Sequence, residues 1–120
     1  MVSNTRYGTA HNGLSDWYLQ RVSAVALAVL MPLPVLLLLG VYTNQLNQLD
    51  LLNLLDQFAS RLLHTILILA LLAHAYTGMK VIFEDYVHPI GLRVPLVGAM
   101  LVTMIGIGVW WLAIIWAWGA

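Results

Sequence analysis

Three long apolar runs constrain this chain more than any other feature: about Leu19–Tyr42, Phe58–Phe83 and Val94–Trp118 carry almost no charge. Each is near the ~20 residues that an α-helix needs to cross a bilayer, and each is far longer than the ~10-residue strands of a membrane barrel. No alternating pattern is visible, so the runs predict three membrane-spanning helices. The balance of residues agrees. With 62% of its 120 residues hydrophobic and 8% charged, the chain has more apolar surface than one small core can bury, and lipid or a partner protein must cover the rest. The expected fold is a single all-α membrane domain, residues 1–120, with helices at about 16–42, 58–86 and 92–118.

The few polar residues are informative because each is expensive in such a setting. Lys+Arg 5 balance Asp+Glu 5, which leaves no basic footprint and excludes nucleic acid as a partner. Cysteine is absent, so disulfides, thiolate metal sites, iron–sulfur ligation and thiol catalysis are excluded together. Arg6, Arg21, Lys80 and Arg93 fall on the side of the N-terminus and the second loop, and only Arg61 lies on the other. The positive-inside rule then predicts a cytoplasmic N-terminus and an outer C-terminus. Trp17 and Tyr18 at one boundary and Trp110, Trp111, Trp116 and Trp118 at the other match the aromatic belts expected at the two interfaces. The first ~18 residues are polar and lack the short apolar core of a cleavable signal peptide, so the first helix is expected to remain as an anchor.

Several features have simple structural readings. Pro32 and Pro34 each remove a backbone donor and predict a kink in the outer half of the first helix, with lining of a cavity as the other reading. Between Thr43 and Asp56, leucines recur among Asn, Gln and Asp as in a short helix lying at the interface. Gly98, Gly106 and Gly108 are expected to let helices approach closely. Asp16 beside Ser15 reads as a helix start, the hydroxyl capping free amides and the acid complementing the dipole.

The second helix carries the chemistry. His74 lies deep in an apolar stretch, Leu71-Leu72-Ala73-His74-Ala75-Tyr76-Thr77-Gly78-Met79, with small neighbours that would let a flat macrocycle approach while the imidazole reaches its iron. A neutral histidine hydrogen-bonded to another helix fits the same residues, and both readings stand. His64, near Ser60 and Arg61, reads as interfacial and non-ligating. At the other end comes Glu84-Asp85-Tyr86-Val87-His88-Pro89, a cluster that could hold the polar head of a lipid-soluble substrate and move protons to it, or simply be a solvated loop. If the helix continues to Tyr86, that phenol lies about 18 Å along the axis from His74. Arg21 can snorkel to headgroups or pair with an anionic group such as a heme propionate. No nucleophile and base pair, phosphate loop or zinc spacing occurs.

Taken in order, Met1-Val2-Ser3-Asn4, Asn12-Gly13-x-x-Asp16 followed by Arg21, and His74-Ala75-x-x-Gly78-Met79 leading to Asp85-Tyr86-Val87-x-Pro89 and Leu92-Arg93 resemble the hydrophobic membrane anchor subunit of bacterial succinate dehydrogenase. The resemblance implies a three-helix anchor in the bacterial inner membrane. It would form part of a heme-binding helical bundle with a second membrane subunit, the cytochrome b subunit, and dock an iron–sulfur subunit and a flavoprotein subunit. It further implies that His74 is an axial ligand of heme b, that Arg21 lies near the heme propionates, that Tyr86 hydrogen-bonds ubiquinone and that Asp85 belongs to the same quinone site. Electrons from succinate would then pass through the iron–sulfur subunit to quinone, while the chain itself has no site for oxidising succinate. A fumarate reductase anchor, and a heme-free structural or assembly subunit, are the alternatives.

Overall fold

The computed structural model describes residues 9–117, with side chains from residue 13 onward. Expectations resting on Met1–Asn4, Arg6, the side chain of Asn12 and Trp118 lie outside the described residues. Every regular element within them is helical: α1 (Thr9–Leu30), α2 (Pro32–Tyr42), α3 (Gln48–Asp56), α4 (Phe58–Tyr86) and α5 (Ile90–Ala117). Three stretches are long and apolar enough to cross a membrane: Gly13–Tyr42, formed by α1 and α2 together, Phe58–Tyr86 and Ile90–Ala117.

Proline chemistry divides the first span. The Met31 amide closes the last bond of α1 on the Leu27 carbonyl at 2.8 Å, and the next intact bond, Val35 N–H to Met31 O, is stretched to 3.4 Å. Pro32 and Pro34, lacking N–H groups, leave the carbonyls of Ala28 and Leu30 without their helical donors. A cavity of about 320 Å³ lies beside the break, lined by Leu30, Leu33, Pro34, Leu63 and His64 among others. Pro34 thus both interrupts the helix and lines a cavity, while Pro32 only interrupts it.

At the far end of α2, Asn44 adopts a left-handed φ of 59°, which lets the Gln45 amide return to the Gly40 carbonyl at 2.9 Å and the Asn44 amide to Val41 at 3.1 Å. This is the reversal usually made with glycine; asparagine tolerates it better than most residues. Gly40 is needed for a different reason, because a Cβ there would sit 2.7 Å from Leu46 Cδ1. The chain then enters α3, whose first turn is capped by the Asn47 side chain accepting from the Asp50 amide at 2.8 Å.

Packing is arranged around α4. It lies against α1 on one side and α5 on the other, while α1 and α5 do not touch among the described residues. The result is an open helical bundle 68 Å long and 24 Å across. Among the described residues only Ile68 and Met100 are buried apolar side chains, joined by the polar Ser23 and Thr77, so most apolar surface faces outward, as a membrane chain with partners requires. Gly108 serves close packing, since a Cβ on it would meet Leu72 Cδ1 at 2.6 Å. Gly98 and Gly106 do not, for nothing lies within 4 Å of a Cβ at either; within this chain they face open space. The α3 end of α4 and α5 is tied by Trp116 Nε1 donating to Thr65 Oγ1 at 3.0 Å, by Phe58 packed edge-on to Trp116, and by Arg61, which pairs with Asp56 and donates to the Trp116 carbonyl.

Candidate functional site

Helix α1 presents Asp16, Gln20 and Ser23 to α4 at the i, i+4, i+7 spacing of one helical face. These residues organise the contact with His74. Its Nδ1 lies 3.3 Å from the Gln20 carbonyl and 3.2 Å from Ser23 Oγ, and that hydroxyl itself donates to the Gln20 carbonyl at 3.0 Å. A carbonyl can only accept, and the serine hydrogen is already committed, so the proton belongs on His74 Nδ1 and the lone pair on Nε2. No described residue hydrogen-bonds Nε2. Thr77, fully buried one turn along, returns its hydroxyl to the Ala73 carbonyl at 2.9 Å and so hides no unpaired group beneath the imidazole. His74 is half-buried, and no described residue stands against Nε2 as a hydrogen-bond partner.

A second tie lies below it. Lys80 Nζ donates to Asp16 Oδ2 at 2.7 Å and stands 3.9 Å from Glu84 Oε1. This corrects the reading of Asp16 as a helix start: α1 begins at Thr9, which places Asp16 well inside the helix, and its carboxylate pairs across the α1–α4 contact. Local sequence suggests a cap because the partner is remote in the chain. The stripe of Asp16, Gln20 and Ser23 in an apolar helix is the legible sign of a polar contact with another helix.

The remaining expected site residues are placed as follows. Unbroken to Tyr86, α4 sets that phenol about 18 Å along the axis from His74. Asp85 returns to within about 20° of the His74 direction and Tyr86 lies about a third of a turn away. Both are exposed, Tyr86 at 79%, and neither has a hydrogen-bond partner among the described residues. Arg21 is not brought to His74. Close to half a turn round α1 from Ser23, it stacks over the Trp17 ring at 5.6 Å and lines an open hollow with Tyr18, Val22 and Val25. His64 donates from Nδ1 to the Ser60 carbonyl at 2.7 Å and borders two apolar cavities at the α3 end.

Comparison with known proteins decides the family. The family model for the succinate dehydrogenase/fumarate reductase transmembrane subunit matches residues 1–115. The chain belongs to this family. A similar protein is the succinate dehydrogenase hydrophobic membrane anchor subunit of Coxiella burnetii, 27% identical over 108 residues, covering 90% of this chain and 92% of that one. For a succinate dehydrogenase/fumarate reductase transmembrane subunit, an open layer of helices is physically sensible: a subunit built to pack against others need not close its own core.

Proposed function

We propose that this chain is the membrane anchor of a bacterial succinate dehydrogenase, holding heme b jointly with a cytochrome b subunit and contributing to the site where ubiquinone is reduced. The observation that carries the reading is His74: its Nδ1–H is held by the Gln20 carbonyl and Ser23, which fixes the tautomer and ring direction and leaves Nε2 basic and unpartnered. Backbone carbonyls that accept from the far ring nitrogen do this for metal-ligating histidines. The residues therefore fit a heme iron, which His74 would hold through Nε2 together with a ligand from the cytochrome b subunit. When bound, the heme supplies one-electron redox capacity in a low-dielectric setting.

Ubiquinone is assigned to the Tyr86 end of α4. The Tyr86 hydroxyl donates a hydrogen bond to a quinone carbonyl and stabilises the negative charge that grows there as electrons arrive from an iron–sulfur subunit, itself fed by a flavoprotein subunit. Asp85, exposed beside it, orients that head group and supplies protons drawn from water. Arg21, aimed away from α4, would meet a propionate only in the space between this chain and the cytochrome b subunit. Arg21, Lys80 and Arg93 at one end against Arg61 at the other support insertion in the bacterial inner membrane with the N-terminus cytoplasmic and the C-terminus periplasmic.

Two measurements on the complex purified with its natural partners test this. A reduced-minus-oxidised spectrum should show a b-type heme, and its absence from an intact, active complex would remove the cofactor claim. Tyr86→Phe should slow quinone reduction by roughly 100-fold while succinate oxidation by a soluble artificial acceptor continues. Unchanged quinone reduction by the variant would refute the quinone role, and equal loss of both activities would point instead to failed assembly.

A further inference from the structure

Between α4 and α5, at the end that carries their connecting turn, a cleft of about 220 Å³ is lined by Lys80, Glu84, Arg93, Val94 and Val97. Arg93 is half-buried, yet no carboxylate or other acceptor among the described residues engages its guanidinium. It is also the fourth residue of α5, whose first turn holds no acidic residue, so the cation lies where the helix dipole is already positive. An anion at this position would relieve both. Lys80 gives one N–H to Asp16 at 2.7 Å and keeps other donors free.

Depth identifies the class of anion. Helix α5 has 28 residues, about 42 Å at ~1.5 Å each, against ~30 Å of hydrocarbon. Some 6 Å therefore project at each end, which puts the Arg93 backbone, about 5 Å in from the start of α5, close to the hydrocarbon boundary, from where its long side chain reaches up to the lipid phosphates. Below the charges, Val94 and Val97 continue the cleft as an apolar wall, and Val94 is 64% exposed. A charged mouth over an apolar groove suits an amphiphile. Glu84 narrows the choice, because a carboxylate repels a simple anion and favours a head group that carries its own cation.

We propose that this cleft binds an aminophospholipid, its phosphate on Arg93 and Lys80, its primary ammonium donating to Glu84, and an acyl chain lying over Val94 and Val97. The site requires only that the chain cross a membrane, and it is independent of the heme and quinone assignments.

The complex purified with its partners, stripped by detergent exchange and examined by native mass spectrometry, tests the site. Wild type should retain about one phosphatidylethanolamine per chain and rebind it in preference to phosphatidylcholine, whose quaternary ammonium has no N–H to give Glu84. Arg93→Gln should weaken phosphatidylethanolamine binding roughly tenfold, and Glu84→Gln should abolish its advantage over phosphatidylglycerol. Equal retention by wild type and Arg93→Gln would overturn the proposal, as would release of the lipid by inorganic phosphate. Loss of the extrinsic partner subunits from Arg93→Gln with its lipid unchanged would overturn it too, by assigning Arg93 to a protein contact. Should Arg93→Gln fail to assemble, the wild-type competition decides alone: no preference for phosphatidylethanolamine over phosphatidylcholine refutes the site.

Discussion

Replacing Lys80 with methionine should destabilise the α1–α4 contact more than replacing Asp16 with asparagine. At 2.7 Å the two charges attract by about 6 kcal/mol if the effective dielectric constant is about 20. Desolvation offsets much of this. The side chains are 20% and 24% exposed, between the surface case, worth ~0.2–1 kcal/mol, and the fully buried one, where removing a partner costs ~3–5 kcal/mol. Lys80→Met leaves Asp16 with no other cation among the described residues, at a cost of about 3 kcal/mol. Asp16→Asn leaves Lys80 with Glu84 at 3.9 Å and should cost about 1–2 kcal/mol. The double variant should then be less damaging than the sum by about 2 kcal/mol. Denaturation of the purified assembly in mixed micelles, followed by far-ultraviolet circular dichroism, measures all three, and raising the salt should shrink the coupling only partly because the pair is shielded from ions. Additivity within ~0.5 kcal/mol, or a smaller loss for Lys80→Met than for Asp16→Asn, would refute the reasoning.

The same denaturation assay reports two further expectations. Gly108→Ala places a methyl 2.6 Å from the tip of the Leu72 side chain, Cδ1, which can turn aside, so its cost should roughly cancel the ~1 kcal/mol gained in helix propensity; the bulkier Gly108→Val should lose ~1–3 kcal/mol, part of it relieved by Leu72→Ala, whereas independent effects would show that the contact is not tight. Asn44→Val puts a β-branched side chain at φ 59° and should cost about 1–2 kcal/mol, with Asn44→Gly tolerated; equal stability of the two variants would mean that the turn does not need the left-handed conformation.

Which features are legible in the sequence follows from how local their causes are. The spans can be counted because apolar length is a property of each run alone, and the break at Met31 is readable because Pro32 and Pro34 act on the carbonyls of their own helix. Asp16 misleads for the complementary reason: a capping argument uses neighbours, and the deciding neighbour is Lys80 on another helix. Three of the glycines of α5 show the same limit, since only packing distinguishes Gly108, against Leu72, from Gly98 and Gly106, against nothing in this chain. Ser23 and Gln20 escape a reading residue by residue, although their spacing with Asp16 marks a polar face.

Polar groups in this bundle divide by how they are satisfied. Asp16, Ser23, Thr77 and His74 Nδ1 find partners within the chain, and all but Thr77, which bonds inside α4, tie α1 to α4. His74 Nε2, Asp85, Tyr86 and Arg93 find none among the described residues and lie where an open layer meets something else. His74 Nε2 lies at membrane depth, where an unpaired polar group costs several kcal/mol and a contact from outside the chain would relieve it; Asp85, Tyr86 and Arg93 lie near the ends of α4 and α5, where water, lipid head groups or another subunit can meet them. The incompleteness of the chain and the location of its chemistry therefore have one cause: α4 is covered on two sides only, and the groups left unsatisfied mark the faces that the rest of an assembly has to cover.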